Sequence, residues 1–146
     1  MSNKKYFCMM LFLGALILQI QPGFSLVIHP DTVNAKSSNK IAVAAVGDNI
    51  NSEISRNAGR ALYYLIFDEN GVYQKAIKNT ARNRRGGASM VVIDLLLQES
   101  CKTVIAENFG ANMLNQLKAN EIEYFEREGI VKNVVHTLMN EYKNGT

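Results

Sequence analysis

The feature that most constrains the fold is the dipeptide Asn70-Gly71, which separates two apolar runs of similar length. The runs Leu62–Asp68 and Val72–Lys78 contain many of the aromatic and branched residues that favour β-strands. An Asn-Gly pair tolerates positive φ, so residues 69–71 are predicted to form a hairpin turn. The two strands are therefore expected to pair in the antiparallel sense.

Downstream of this hairpin, short apolar runs alternate with segments that have a helical period. Consecutive strands separated by helices are expected to run parallel, with right-handed crossovers. With a strand at Ile41–Val46 before the hairpin, the chain is predicted to form one α/β domain, a mixed five-stranded sheet with helices on its faces. The later elements are predicted as helix Ala88–Gln98, strand Lys102–Ala106, helix Ala111–Ala119, strand Ile122–Phe125 and helix Val131–Tyr142.

Residues 1–25 are typical of a secretory signal peptide. A basic start precedes an almost wholly apolar run, 6–20, and Gly23 and Ser25 supply small residues at a cleavage site. The run is shorter than the roughly 20 residues that cross a bilayer as a helix, so a membrane anchor through residues 6–20 is the alternative. Residues 26–39 are predicted to be a linker, with Ala35 as a second possible cleavage position, and the domain to span 40–146. The protein is expected to be exported, to a periplasm or outside the cell.

Charge and cysteine content exclude two classes of protein. The chain has 16 Lys and Arg against 13 Asp and Glu, a formal net charge of +3. Two of the lysines lie in the predicted leader, so the rest of the chain has 14 basic and 13 acidic residues, a net charge of +1. Such a domain lacks the broad basic face that nucleic-acid binding requires. Cys101 is the one cysteine after the leader, so an internal disulfide is excluded too.

Several short motifs resemble the start of one known family, the dinitrogenase iron–molybdenum cofactor biosynthesis family. The motifs are Lys40-Ile41-Ala42-Val43, Ser55, Gly59-Arg60-Ala61 and Tyr63-Tyr64. The resemblance covers residues 40–142 and implies a ribonuclease H-like arrangement with strand order 3-2-1-4-5. It also implies a non-enzymatic carrier or binding module for a small anionic ligand.

The loop before the second strand holds the first candidates for ligand binding. Gly59 would let the backbone approach a ligand, and Arg60 would present its guanidinium donors to an anion. The alternative is that Gly59 only forms a turn and Arg60 pairs with a surface acid.

A basic loop holds the second set of candidates. Arg84 and Arg85 precede Gly86 and Gly87 at a predicted helix start, where free N–H groups attract anions. The alternative is a solvated cluster of charges. This loop and the Arg60 loop are expected to share the carboxyl edge of the sheet, where α/β folds bind ligands.

The turn after the fourth strand is the third candidate. In relatives the corresponding turn is glycine-rich and opens a helix at the same edge of the sheet. Gly110 matches that pattern, and Asn108 is either a ligand contact or the cap of the following helix.

Direct metal ligation is not predicted. Many members of the family that the chain resembles have histidines in these loops, and His, Cys and Met are natural ligands of metal clusters. Here the first loop has Arg56-Asn57-Ala58 and the later one is rich in arginine. His136 and Cys101 belong to distant elements, and Cys101 is expected to be a small buried apolar residue. One candidate cofactor is an anionic metallocluster bound without His or Cys ligands.

The sequence has no enzyme signature such as a phosphate-binding Gly-Lys-Ser loop, a Gly-x-Ser-x-Gly elbow or a His-Glu-x-x-His motif. A nuclease would need several carboxylates around two metal ions. Asp48 and Asp68 end neighbouring antiparallel strands and are expected to lie apart. The predicted function is therefore a carrier or binding module for a small anion, and the alternative is a protein-interaction module that has kept the fold without a ligand.

The leader generates the first testable prediction. We expect cleavage after Ser25, because the apolar run is too short to span a bilayer and is followed by small residues. N-terminal sequencing of the protein isolated from its native compartment should begin at Leu26. A sequence that begins at Met1, on protein recovered in the membrane fraction, would contradict this prediction.

Overall fold

The computed structural model describes residues 39–145. The predicted leader, nearly all of the predicted linker and Thr146 lie outside the described residues. Within 39–145, no helix is both long and apolar enough to cross a membrane. The strands are β1 (Lys40–Ala45), β2 (Tyr63–Phe67), β3 (Tyr73–Lys78), β4 (Cys101–Ala106) and β5 (Glu123–Glu126), and the helices are α1 (Ala88–Gln98), α2 (Ala111–Ala119) and α3 (Val131–Asn144).

The five strands form one mixed sheet in the order β3-β2-β1-β4-β5. β1 pairs antiparallel with β2, which pairs antiparallel with β3. On its other side β1 pairs parallel with β4, and β4 pairs parallel with β5. The predicted α/β class and strand order are confirmed. The ribonuclease H-like designation stays a prediction.

β1 is the central strand, and both of its faces are covered. Ile41, Val43 and Ala45 pack in a core that contains the inner face of α3. Ala42 and Ala44 pack in a second core with α1 and α2. All five are at most 2% exposed, which explains why this strand is apolar at every one of these positions instead of alternating.

The predicted hairpin joins β2 to β3, but only its glycine has a positive φ. Gly71 has φ of +78°, while Asn70 does not enter that region. The N–H of Asp68 donates to the Val72 carbonyl at 2.9 Å, which closes a three-residue loop. The Asp68 carboxylate accepts hydrogen bonds from the N–H groups of Asn70 and Val72, each at 2.9 Å. A loop of this length requires one left-handed residue at its end, and glycine takes that place.

Helix α1 has the predicted bounds, but only part of its predicted inward face is buried. The spacing of its apolar residues predicts an inward pattern that includes Met90, Ile93 and Leu97, yet Met90 and Leu97 are 60% and 43% exposed. The buried side chains are Val92, Ile93 and Leu96. Most residues of this helix are apolar, so the period of 3.6 does not identify the inward face from sequence.

The hairpin generates a prediction about stability. A Cβ on Gly71 would lie 2.7 Å from Cγ of Met139 in α3, and the left-handed φ disfavours any side chain. We expect Gly71→Ala to lower the free energy of unfolding by about 1–2 kcal/mol. For a domain of this size that loss lowers the melting temperature by roughly 4–8 °C per kcal/mol, which calorimetry would measure.

Gly86→Ala is the matched control. Gly86 has no positive φ, and a Cβ added there would meet no heavy atom within 4 Å other than those of its chain neighbours. Its melting temperature should therefore stay close to that of the parent. Equal losses in both variants would show that the contact between the hairpin and α3 is unimportant.

Candidate functional site

A cleft of about 350 Å³ lies at the edge of the sheet where β1 and β4 end. Three segments form it: the 3₁₀ turn Ala58–Arg60, the end of the basic loop with the first residues of α1, and the start of α2. β3 ends at the same edge. It runs antiparallel to β2, and its last residue, Lys78, pairs with Tyr63 at the start of β2. The loops therefore meet at the carboxyl edge, as expected for a ligand site in an α/β fold.

Six of the eight residues predicted to bind a ligand line this cleft. They are Gly59, Arg60, Arg85, Gly86, Gly87 and Gly110, and the rest of the lining is Asn57, Ala88, Ser89, Ala111, Asn112 and Met113.

Arg84 and Asn108 are not among the lining residues, and both contribute through their backbone instead. The carbonyl of Arg84 accepts a hydrogen bond from Nη1 of Arg60 at 2.8 Å. The carbonyl of Asn108 accepts one from the Ala58 N–H at 3.0 Å. Asn108 is also not the helix cap, because that position belongs to Gly110. The two residues therefore provide backbone hydrogen bonds to the loops of the cleft without lining it.

Two helices begin at the cleft, and both begin at a glycine. Gly87 is the N-cap of α1, with φ of +69°, and Gly110 is the N-cap of α2. Neither helix has a side chain that caps its N-terminus. Uncapped N–H groups and the partial positive charge of a helix start both favour an anion. The two glycines also have no non-neighbouring atoms within 4 Å of a Cβ position, so they leave open space in the cleft.

Within residues 39–145, Arg60 forms no ion pair with an acidic side chain. Its Nη1 donates to the carbonyls of Arg82 and Arg84, at 2.5 and 2.8 Å. A guanidinium has five N–H donors, so these two bonds leave donors for a ligand. Arg85 is exposed and also lines the cleft. The cleft thus combines two guanidinium groups with two helix starts.

Two buried polar side chains that are not among the predicted ligand-binding residues bind the turn at residues 58–61. Tyr64 is fully buried, and its hydroxyl donates to the Ala58 carbonyl at 2.6 Å. Burial raises the pKa of this phenol well above its usual value, so it stays a neutral donor. Asn79, 4% exposed, binds the same turn through its amide. An asparagine after a strand is a common turn residue, so its burial could not be predicted from the sequence and is visible only in the fold.

No acidic residue is among the lining residues of this cleft. Glu107, which directly follows β4, forms an ion pair with Arg56, with 3.8 Å between Oε1 of Glu107 and Nε of Arg56. Because Arg56 is 90% exposed, this pair contributes little to stability. The charged side chains that line the cleft are therefore those of Arg60 and Arg85, and both are cationic.

The histidine and the cysteine of the described domain lie away from the cleft. Cys101 is buried at the start of β4, the opposite edge of the sheet, and burial together with the Glu99 carboxylate raises the pKa of its thiol to about 12. The expectation that it is buried is confirmed. His136 is exposed on α3, away from the cleft. Among residues 39–145, no three His, Cys, Asp or Glu side chains are grouped so that they could hold a metal ion.

Solved structures with the same fold support this description. The apo form of the orange protein from Desulfovibrio gigas has a TM-score of 0.63 and 20% identity, over 73% of this chain and 88% of that protein. A candidate NifB protein from Thermotoga, of the DUF35 family, has a TM-score of 0.57 and 26% identity, over 73% of this chain and 89% of that protein. No curated protein matches the chain.

The family comparison covers nearly all of the described domain. The family model described as dinitrogenase iron-molybdenum cofactor matches residues 39–144. The match includes every strand and helix and all residues of the cleft. It confirms the resemblance found in the sequence, and the chain belongs to the dinitrogenase iron–molybdenum cofactor family.

Proposed function

We propose that the domain is a non-enzymatic carrier or binding module for a small anionic ligand, held in the cleft between the 58–60 turn and the starts of α1 and α2. The observation that supports this most is the combination of charges in the cleft. Arg60, Arg85 and two uncapped helix starts face one space of about 350 Å³ without an acidic side chain in its lining. Each of these groups favours an anion for an independent physical reason.

The family suggests an anionic metallocluster, or a precursor of one, as the cargo. The described residues that line the cleft include neither His nor Cys, and their methionine, Met113, is only 3% exposed, so they do not fit a cluster held by bonds from protein to metal. They do fit one held by charge and shape, because guanidinium and backbone N–H groups can donate to the outer atoms of an anionic cluster. Arg60, Arg85 and the first N–H groups of α1 and α2 would make these contacts.

The predicted export signal bears on the biological role. Nitrogenase assembly takes place in the cytoplasm with oxygen-labile clusters, so an exported member of this family would act elsewhere. We therefore propose that the domain binds and carries an anion outside the cytoplasm, and we assign it no step of nitrogenase assembly.

The cleft generates a prediction about binding. We expect Arg85→Ala to weaken anion binding at least tenfold, because a charge-assisted contact is worth roughly 1.5–3 kcal/mol. The same change should alter folding stability by no more than about 0.5 kcal/mol, since Arg85 is exposed. Thermal-shift titrations with phosphate, citrate, molybdate and thiomolybdate would measure both. Binding should also fall as salt rises, because partly exposed charges are screened.

Arg84→Ala is the matched control for this experiment. It removes the same charge from the adjacent position, while the carbonyl that Arg60 binds is kept. Its effect on affinity should be about twofold or less, as the screened loss of a nearby charge outside the lining. If no anion raises the melting temperature of the parent, or if Arg85→Ala binds as the parent does, the site is wrong and the protein-interaction module becomes the leading function.

A second prediction concerns metals themselves. The purified domain should retain no stoichiometric zinc, iron or copper through dialysis, because its His and Cys residues lie on different elements. Elemental analysis provides the measurement. Metal that is retained by the parent and lost in Cys101→Ser or His136→Ala would show that a direct ligand site exists.

A further inference from the structure

The two loops that bring both lining arginines to the cleft come from different parts of the chain. The 58–61 turn lies between β1 and β2, and the basic loop, residues 79–87, lies between β3 and α1. A single backbone hydrogen bond, from the Asn79 N–H to the Leu62 carbonyl at 2.9 Å, continues the β2–β3 pairing toward them. Beyond that bond, side chains make the hydrogen bonds that join the two loops.

Asn79 binds the turn from the basic loop. Its Nδ2 donates to the carbonyls of Gly59 and Ala61, at 3.3 and 3.0 Å. Its Oδ1 accepts from the N–H of Ala81 at 2.9 Å, within its own loop. Both ends of the amide are therefore used. Because the side chain is 4% exposed, water cannot replace these bonds without opening the structure.

Arg60 binds the basic loop from the turn. Its Nη1 donates to the carbonyls of Arg82 and Arg84. These bonds run in the opposite direction to those of Asn79, so each loop supplies one side chain to the carbonyls of the other. The second of these carbonyls belongs to Arg84. It is followed directly in the chain by Arg85, Gly86 and the N-cap of α1.

We propose that Asn79 and Arg60 form a latch that positions the basic loop, so that Arg85 and the start of α1 face the start of α2 across the cleft. Arg60 is thereby a positioning residue in addition to any contact it makes with an anion. Asn79 is a positioning residue that never touches the ligand. The structural part of this inference stands by itself, and its effect on binding rests on the proposed anion site.

Hydrogen exchange tests the latch without any ligand. In the full chain, exchange of the Arg84 amide, whose N–H donates to the Ala81 carbonyl at 3.0 Å, should become roughly five to ten times faster in Arg60→Ala, because two hydrogen bonds that hold the loop are lost. Arg60→Lys keeps the charge but ends one bond short of the position of Nη1, so exchange should also become faster. Lys118→Ala, at the far end of α2, removes one exposed positive charge and should exchange as the parent does.

Asn79 separates positioning from charge. Asn79→Asp keeps an acceptor for the Ala81 N–H but loses both donors, and Asn79→Ala removes the side chain without adding a charge. With thiomolybdate as the probe, we expect affinity to fall roughly fivefold or more in Asn79→Ala. The salt dependence of binding should stay that of the parent, because no cation is lost. Asn79→Asp should show the same faster exchange at the Arg84 amide.

The outcomes distinguish the latch from the anion site. Exchange at the parent rate in both Arg60→Ala and Arg60→Lys would overturn the latch, whatever the binding result. Should Asn79→Ala fail to fold, the exposed Arg60 variants still decide the question. If the parent binds none of the four anions, thiomolybdate included, the anion site loses its support, while the exchange rates still confirm or refute the latch.

Discussion

Burial of both faces of the central strand is the constraint on which the rest of the structure depends. The side chains from Ile41 to Ala45 alternate between two apolar cores, and each core needs its own helical cover. Helices α1 and α2 cover one face, and α3 covers the other. A strand with no solvent face needs cover on both sides, which this three-layer arrangement supplies. Covering both faces of β1 therefore brings all three helices against the same sheet.

The position of the cleft follows from that arrangement. β1 and β4 are parallel neighbours, so the loops that follow them leave the sheet at one edge. The antiparallel β3 ends there too and delivers the basic loop. Two helices consequently begin at this edge, at Gly87 and Gly110, and their dipoles add to the charges of the arginines. A cationic site thus arises from strand order as much as from the basic residues themselves.

Backbone groups in loops must find hydrogen-bond partners when the loops are partly buried. In this domain the carbonyls of the 58–61 turn are bound by Tyr64 and Asn79, and those of the basic loop by Arg60. These side chains join segments that share little regular secondary structure. The geometry of the cleft therefore depends on the same few side chains that provide hydrogen-bond donors to the loop carbonyls.

The sequence by itself determined the order of strands and helices, because periodicity and the glycine of the 69–71 turn are local properties. It also indicated eight candidate ligand-binding residues at the loop ends, of which only Arg84 and Asn108 fall outside the lining. The tertiary structure alone decided which face of α1 is buried, since nearly every side of that helix is apolar. It alone showed that Asn79 is buried and that Arg60 binds a carbonyl 24 residues away. Such contacts depend on how distant segments are brought together by the sheet, and no local pattern of residues records that.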